Sequence, residues 1–281
     1  MLLCLALLAC LNAADGAPAA SPPPPAMSPP PAEPPAPAWP QPGAPLRAPE
    51  APPWPGPPLT LMIDAGHGAP GNLGNTGARC QQEADFTRAT QDAVLARLAG
   101  DPALQLSSGR PTAELRSYDA LIADIKARRP DAVISLHSDT RAGDGWTVGP
   151  SGCYEGRGAV GFSVLYSDEG PEAVVEGRLR LARAVARRMS EAGFPAYGGE
   201  DYVGLYAPSG DTPGVFVDRH APRQRIRMLR AVSPPLVIVE THQAVDPEES
   251  ARWDEPATLD AFAAALRAAV IDAAMIDAAA P

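Results

Sequence analysis

The chain is 281 residues long and carries a formal net charge of -10 at pH 7. An acidic chain is repelled by the phosphate backbone of nucleic acids, so we expect no nucleic-acid partner. Twenty of the 35 prolines lie before residue 59, and a stretch of that composition cannot build a packed core. The sequence therefore predicts one globular domain over residues 59–281.

The N terminus has the features of an export signal. Residues 1–9 are wholly apolar and are about half as long as the roughly 20 residues of a membrane-spanning helix, so we expect a signal peptide over residues 1–16. The sequence Leu-Leu-Ala before Cys10 resembles a bacterial lipoprotein box, while ordinary cleavage near Ala13 is the alternative. In both cases the protein is expected to be exported to the periplasm, and a lipid on Cys10 would anchor it to a membrane.

Residues 17–58 are rich in proline and alanine and show almost no periodic apolar pattern. Such a composition is typical of extended chain that is partly polyproline II. We expect a disordered linker that acts as a semi-rigid spacer between the export segment and the domain.

The domain alternates between apolar runs and helical periodicities. These patterns predict, in chain order, strand 59–64, helix 84–98, strand 104–107, helix 113–128, strand 131–136, strand 162–166, helix 172–192, strand 235–239 and helix 256–278. Alternating strands and helices favour an α/β fold in which a mostly parallel or mixed sheet has helices on both faces. Ligands of such sheets bind beyond the carboxyl ends of the strands, where His67, His137 and Glu240 fall.

Two cysteines belong to the domain, Cys80 and Cys153, while Cys4 and Cys10 belong to the export segment. In an oxidising periplasm the two domain cysteines are candidates for a disulfide. The sequence leaves this pairing open, because it does not reveal the Cα separation that a disulfide requires.

The residues at the strand ends are those of a catalytic zinc site. Such a site takes three ligands from His, Glu or Asp and keeps one position for water. His67, His137 and Glu83, which opens a predicted helix, form such a set. A further carboxylate must take the water proton and pass it to the leaving nitrogen, and Glu240 ends an apolar strand, where burial raises a carboxyl pKa. Taken singly, each residue has a plainer explanation: a strand-end histidine can be structural, and Glu83 can serve the helix dipole alone.

Five motifs carry a resemblance to a known family. In chain order they are Ile63–Gly68 (IDAGHG), Glu83 before a helix, Gly109-Arg110 with Leu115-Arg116, Ile134–Ser138 (ISLHS) and Leu236–Glu240 (LVIVE). Together they resemble the zinc-dependent N-acetylmuramoyl-L-alanine amidases of the amidase type 3 family, over nearly all of residues 59–281. These enzymes cut the amide between the lactyl group of N-acetylmuramic acid and the L-alanine of the stem peptide.

The resemblance implies a phosphorylase/hydrolase-like fold, a single domain with a mixed sheet of about six strands flanked by helices. It also implies one Zn²⁺ ion held by His67, Glu83 and His137, with Glu240 as the catalytic acid/base. Peptidoglycan or a muropeptide is then the expected substrate, and an activator protein is a candidate partner. Arg110 is a candidate for binding substrate or for supporting a ligand.

Two stretches depart from the family pattern. After the catalytic Glu the family usually continues with Gly-Phe and a nearby Asn, whereas this chain reads Thr241-His242-Gln243. Period-two alternation places His242 on the side of Glu240, as a candidate for orienting substrate or for supporting a metal ligand, although a surface loop is the favoured location. Residues 193–233 form a long insertion in which His220 is expected to be a solvated loop histidine. A lid over the metal, formed by residues 199–222, is a further hypothesis.

Three functions remain open from the sequence. The first is the amidase, and the second is a zinc hydrolase of the same architecture that acts on another amide or peptide, which the change after Glu240 favours. The third is a non-catalytic peptidoglycan-binding regulator. It is the weakest of the three, since none of the expected ligands is missing and neither is the catalytic carboxylate.

Overall fold

The computed structural model describes residues 37–112 and 114–278. Its strands are β1 (Leu59–Ala65), β2 (Leu104–Ser108), β3 (Ala132–Asp139), β4 (Trp146–Val148), β5 (Tyr154–Gly156), β6 (Ser163–Tyr166), β7 (Tyr206–Pro208), β8 (Val215–Asp218) and β9 (Leu236–Gln243). Its α-helices are α1 (Glu83–Leu98), α2 (Tyr118–Arg128), α3 (Glu172–Ala192), α4 (Arg227–Arg230), α5 (Pro247–Arg252) and α6 (Pro256–Ala278), and Glu200–Tyr202 forms one 3₁₀ turn.

Seven of these strands form one mixed sheet in the order β2-β1-β3-β9-β6-β8-β7, and β4 and β5 form a separate two-stranded ribbon. Strands β2, β1, β3 and β9 run parallel, while β6 is antiparallel to β9. The carboxyl ends of β1, β3 and β9 therefore meet at one edge of the sheet. The expected α/β fold is confirmed, with seven strands in the sheet instead of about six.

Helices cover both faces of the sheet. Successive strand residues point to opposite faces, and the residues on both faces are apolar. On β9, Val237 and Val239 belong to the cluster that includes Phe262 of α6, whereas Leu236 and Ile238 belong to the cluster that includes Leu229 of α4. Strands buried on both faces read as continuous apolar runs, which is why this strand was predictable from the sequence.

Some element boundaries differ from the prediction. Helix α2 begins at Tyr118, five residues after the predicted start at 113, because the Ser117 side chain caps it by accepting from the Ala120 backbone N–H. Strand β9 continues to Gln243, four residues beyond its predicted end at 239. This extension places His242 within the strand.

The predicted domain start at Leu59 is wrong, and so is the predicted extended spacer over residues 37–58. Trp39 and Leu46 pack against the hydrophobic core, and the Trp39 ring lies 5.2 Å from the Phe194 ring. The Arg47 backbone N–H donates to the carbonyl of Ala192 at 3.0 Å. A proline-rich segment needs no core of its own when its few large apolar side chains bury themselves against a neighbouring domain.

The predicted export signal, the candidate lipidation site at Cys10 and the first part of the predicted linker lie outside the described residues. None of the described helices is long and apolar enough to cross a membrane.

Residues 193–233 do not form a separate lid. They contain β7 and β8, which extend the main sheet, and Val215 and Val217 are buried in its core. Removing residues 199–222 would thus remove two sheet strands, so the lid hypothesis does not fit this structure. The insertion nevertheless reaches the functional edge of the sheet.

Candidate metal and catalytic site

Two histidines meet at the carboxyl ends of β1 and β3. His67 follows β1 with a left-handed backbone (φ 62°), and its ring centroid lies 4.8 Å from that of His137. A Cβ atom on Gly66 would lie 2.3 Å from Nε2 of His137. Glycine at this turn therefore lets the two imidazoles come together.

Glu83 lies between the two imidazoles. It is the first residue of α1 and is 4% exposed. Its Oε2 lies 3.1 Å from Nε2 of His67, and its Oε1 lies 3.0 Å from Nδ1 of His137. The nitrogen and oxygen atoms that the three residues offer lie within 4.8 Å of one another. Two imidazole nitrogens and one carboxylate are a donor set of catalytic zinc sites, so these residues fit a metal ion.

Asparagines hold this set in position. Oδ1 of Asn72 lies 2.7 Å from Nδ1 of His67, which leaves Nε2 of that ring to face Glu83. Asn75 donates to Oε2 of Glu83 from its backbone N–H at 3.0 Å and from its side-chain amide at 2.9 Å. Such supporting contacts fix the tautomer and orientation of metal ligands. Sequence reasoning missed both asparagines, although their place in the Gly-rich turn between His67 and Glu83 was a usable signal.

Charge is also balanced within the cluster. Burial disfavours the ionised form of Glu83, but the hydrogen bonds and charges of His137 and His67 outweigh burial and lower its pKa overall. Burial likewise opposes the charged form of His67, yet Glu83 raises the pKa of this histidine overall. The carboxyl group of Glu83 is therefore ionised, as a metal ligand must be.

Glu240 lies beside the cluster, on β9 directly opposite His137 in the strand register. Its Oε2 is buried and has no hydrogen-bond partner among the described residues. Burial raises the pKa of Glu240 well above its usual value, and the negative charges of Asp139 and Glu83 raise it further. A carboxyl group with a raised pKa and a free oxygen is suited to accepting and returning a proton.

A cavity of about 390 Å³ is lined by Glu240 and by the two histidines of the cluster. Its lining residues are His67, Tyr118, His137, Tyr206, Ile226, Arg227, Met228, Ile238 and Glu240. The long insertion supplies β7 and α4, and thereby one whole wall. The cavity is thus part metal centre and part apolar groove, which is the usual composition of a substrate site.

Asp139 and Arg141 form a charged support behind Glu240 that sequence reasoning also missed. Nε of Arg141 lies 3.0 Å from Oδ2 of Asp139, and its guanidinium lies 3.9 Å from the centre of the Tyr197 ring. Arg141 is 1% exposed and opposes the rise in the Glu240 pKa. The sequence offered no periodic signal for it, because this arginine follows the end of β3.

Arg110 does not line the cavity. It is 5% exposed, donates through Nη2 to the carbonyl of Ala84, and exchanges backbone hydrogen bonds with the Gln91 side chain. A Cβ atom on Gly68 would collide with its guanidinium. Its location therefore fits support of the loop that carries His67, and it does not fit direct substrate binding.

His242 lies neither in a surface loop nor on the side of Glu240, so both expectations for it are wrong. Between the pairs His137↔Glu240 and Asp139↔Gln243 the strand register shifts, and such a bulge breaks period-two alternation. The His242 ring stacks on Trp253 at 5.6 Å. Burial lowers the pKa of His242 to about 3, so this histidine is neutral.

His220 was expected to be a solvated loop histidine, but in the structure it contacts other side chains. Its Nδ1 lies 2.9 Å from Oδ1 of the buried Asp218, and its ring contacts Tyr206 at 5.1 Å between centroids. It does not belong to the cluster of metal-ligand candidates among the described residues. It therefore contacts β8 through Asp218 and β7 through Tyr206, both within the insertion.

The candidate disulfide is present in the structure. Cys80 and Cys153 are joined, with their Cα atoms 5.5 Å apart, and the Ser151 hydroxyl donates to the carbonyl of Ala78 at 2.9 Å. These contacts connect the ribbon of β4 and β5 to the loop that precedes Glu83.

The family model described as N-acetylmuramoyl-L-alanine amidase matches residues 61–272. No curated protein matched the sequence.

Solved structures share the fold. They include the N-acetylmuramyl-L-alanine amidase Ami1 from Mycobacterium smegmatis (22% identity, 78% of this chain and 96% of that chain covered, TM-score 0.55). An N-acetylmuramoyl-L-alanine amidase from Clostridium difficile 630 is similar as well (16% identity, 80% and 100% covered, TM-score 0.57). So is the CwlD amidase from Clostridioides difficile, solved in complex with the GerS lipoprotein (13% identity, 78% and 100% covered, TM-score 0.53). Because the family model spans more than half of the sequence, the chain belongs to the N-acetylmuramoyl-L-alanine amidase family.

Proposed function

We propose that this protein hydrolyses the amide between N-acetylmuramic acid and L-alanine in peptidoglycan, with one zinc ion held by His67, Glu83 and His137. The observation that carries the proposal is the close grouping of these ligands beside the unpartnered carboxyl oxygen of Glu240. Membership of the amidase family supports the substrate, and the donor set supports zinc over the harder cations that prefer oxygen ligands.

A zinc ion at this position would supply Lewis acidity, which polarises the scissile carbonyl and acidifies a water molecule. The chain's own residues would then carry out the proton transfers. Glu240 accepts a proton from the attacking water at its free oxygen and delivers it to the nitrogen of the departing L-alanine. The raised pKa of Glu240 favours the first of these steps, because a more basic carboxylate is a better acceptor of the water proton.

The alternative of another amide substrate depended on the altered sequence after Glu240. His242 packs against Phe86 and Trp253 and is absent from the cavity lining. This part of the chain therefore does not touch a substrate in the cavity, which removes the main reason for the alternative.

Export and anchoring belong to the same proposal. A signal peptide over residues 1–16 would carry the enzyme to the periplasm, where its substrate is, and a lipid on Cys10 would tether it there. An activator protein also remains a proposed partner, for which the pairing of CwlD with a lipoprotein offers a parallel.

Digestion of purified sacculi, followed by mass spectrometry of the products, tests this function. The proposal expects free stem peptides that begin with L-alanine and intact glycan strands. The Glu240→Gln variant is the matched control, because it keeps the size of the side chain. Release of disaccharide-linked peptides by cleavage at another amide would contradict the proposal.

A further inference from the structure

We infer that Arg227 recognises a carboxylate of the stem peptide, and that Asp119 forms an ion pair with this arginine while the substrate is absent. The inference rests on the proposed function and adds a specificity-determining residue to it. It comes from the charge distribution of the cavity.

Arg227 is the single arginine or lysine among the residues that line the described cavity. The chain as a whole carries a net charge of -10, which repels an anionic peptide. A local cation is therefore needed if the cavity is to hold a carboxylate. Guanidinium groups suit this task because their paired N–H donors match the two oxygens of a carboxylate.

The partner of Arg227 in the structure is itself a carboxylate. Nη2 of Arg227, on α4, lies 2.5 Å from Oδ1 of Asp119, on α2. The side chains are 61% and 73% exposed, respectively. Exposed ion pairs contribute only about 0 to 1 kcal/mol, so a substrate carboxylate can displace Asp119 at little cost.

The backbone of α4 holds the arginine in place while its side chain stays free to move. The two following residues, Met228 and Leu229, are 5% and 0% exposed and pack in the core of that face. The backbone of Arg227 is therefore held at the cavity by its buried neighbours, and its guanidinium is exposed outside the core.

Neighbouring arginines of the same segment do not line the cavity. Arg219 lies 2.6 Å from Asp168, and Arg225 lies 2.7 Å from Glu169, and neither of them lines the cavity. Arg223 is exposed and likewise absent from the lining. It is a matched control, because it carries the same charge in the same segment without facing the substrate.

The experiment compares two synthetic substrates, N-acetylmuramoyl-L-alanyl peptides that differ only in a free carboxylate or a carboxamide on the residue after L-alanine. For the wild type we expect a KM about tenfold lower for the carboxylate, the equivalent of about 1.4 kcal/mol. Arg227→Gln should abolish this preference by raising KM for the carboxylate, with kcat nearly unchanged. Arg223→Gln should keep the preference.

Asp119→Asn supplies the opposite change, since it frees Arg227. It should lower KM for the carboxylate substrate, whereas a purely structural ion pair would make both variants worse in the same way. Binding of both substrates to Glu240→Gln and to Glu240→Gln with Arg227→Gln, measured by calorimetry, gives a readout without turnover. A preference that survives in Arg227→Gln would overturn the inference and leave the amidase function intact. Failure of the wild type to cleave either substrate would overturn the proposed function and the inference with it.

Discussion

His137 and Glu240 are direct partners in the register between β3 and β9, so a metal-ligand candidate and the acid/base candidate lie side by side on adjacent parallel strands. Both strands are buried and hydrogen-bonded along their length. The separation of His137 and Glu240 is therefore set by the hydrogen-bonded pairing of the two strands.

Replacing Glu240 by Gln should lower kcat by about 10²- to 10⁴-fold, because an amide cannot accept the water proton. The metal should remain bound, since Glu240 is not among the three grouped ligands. Turnover of muropeptides and the zinc content of the purified variant are the measurements. Near-normal turnover would contradict the acid/base role.

Replacing His67 or His137 by Ala should remove the metal. A site with three protein ligands loses one third of its donors and leaves Glu83 buried beside a single imidazole. Elemental analysis should find far less than one zinc per chain in each variant, and chelation of the wild-type metal should abolish activity until zinc is restored. His242→Ala is the matched control, because this histidine is not among the three grouped ligands. Stoichiometric zinc in His67→Ala or His137→Ala would rule out the proposed ligand set.

The packing of residues 37–58 predicts a loss of stability in Trp39→Ala. The Trp39 indole contacts Phe194 and donates from Nε1 to Oε1 of Glu249 at 2.8 Å. Losing the packing of this partly buried ring and its hydrogen bond should lower the free energy of unfolding by about 1 to 3 kcal/mol. Urea unfolding measures the change, and Trp39→Phe separates the two effects because it keeps a ring and removes only the donor. An unchanged midpoint in Trp39→Ala would show that the segment does not stabilise the domain.

Glu249 predicts a particular dependence of stability on pH. It is fully buried and accepts hydrogen bonds from Trp39, Gly161 and Gln243. Burial outweighs these bonds and raises its pKa to about 7 from an ordinary 4.5. The folded chain therefore holds a proton that the unfolded chain has already released within this window. The contribution of Glu249 to the free energy of unfolding falls as pH rises from about 4.5 to about 7, with a slope of at most about 1.4 kcal/mol per pH unit.

Unfolding of the wild type and of Glu249→Gln, measured at several pH values, isolates this contribution. The variant should be less stable at low pH, where the protonated carboxyl already satisfies its partners. The difference between the two proteins should shrink as the pH rises toward 7. Parallel curves would show that Glu249 does not titrate in this window.

The sequence by itself determined the α/β alternation, most of the strands and the order of the site residues along the chain. Apolar runs followed by His or Glu predicted β1, β3 and β9, although β3 and β9 continue past their predicted ends. Parallel strands necessarily bring their carboxyl-terminal parts to one edge of the sheet. The site could be anticipated to this extent because strand periodicity and strand ends are local properties.

Only the tertiary structure decided the rest. The bulge that turns His242 into the core arises from the pairing of β9 with β3, and no local pattern encodes it. Trp39 is partly buried because it packs on a distant surface beside Phe194, although its own segment has the composition of a linker. Arg227 reaches the cavity because residues 193–233 add strands to the sheet and carry α4 to its edge. In each case the deciding contact joins residues far apart in the chain, and its free energy depends on a surface that exists only after folding.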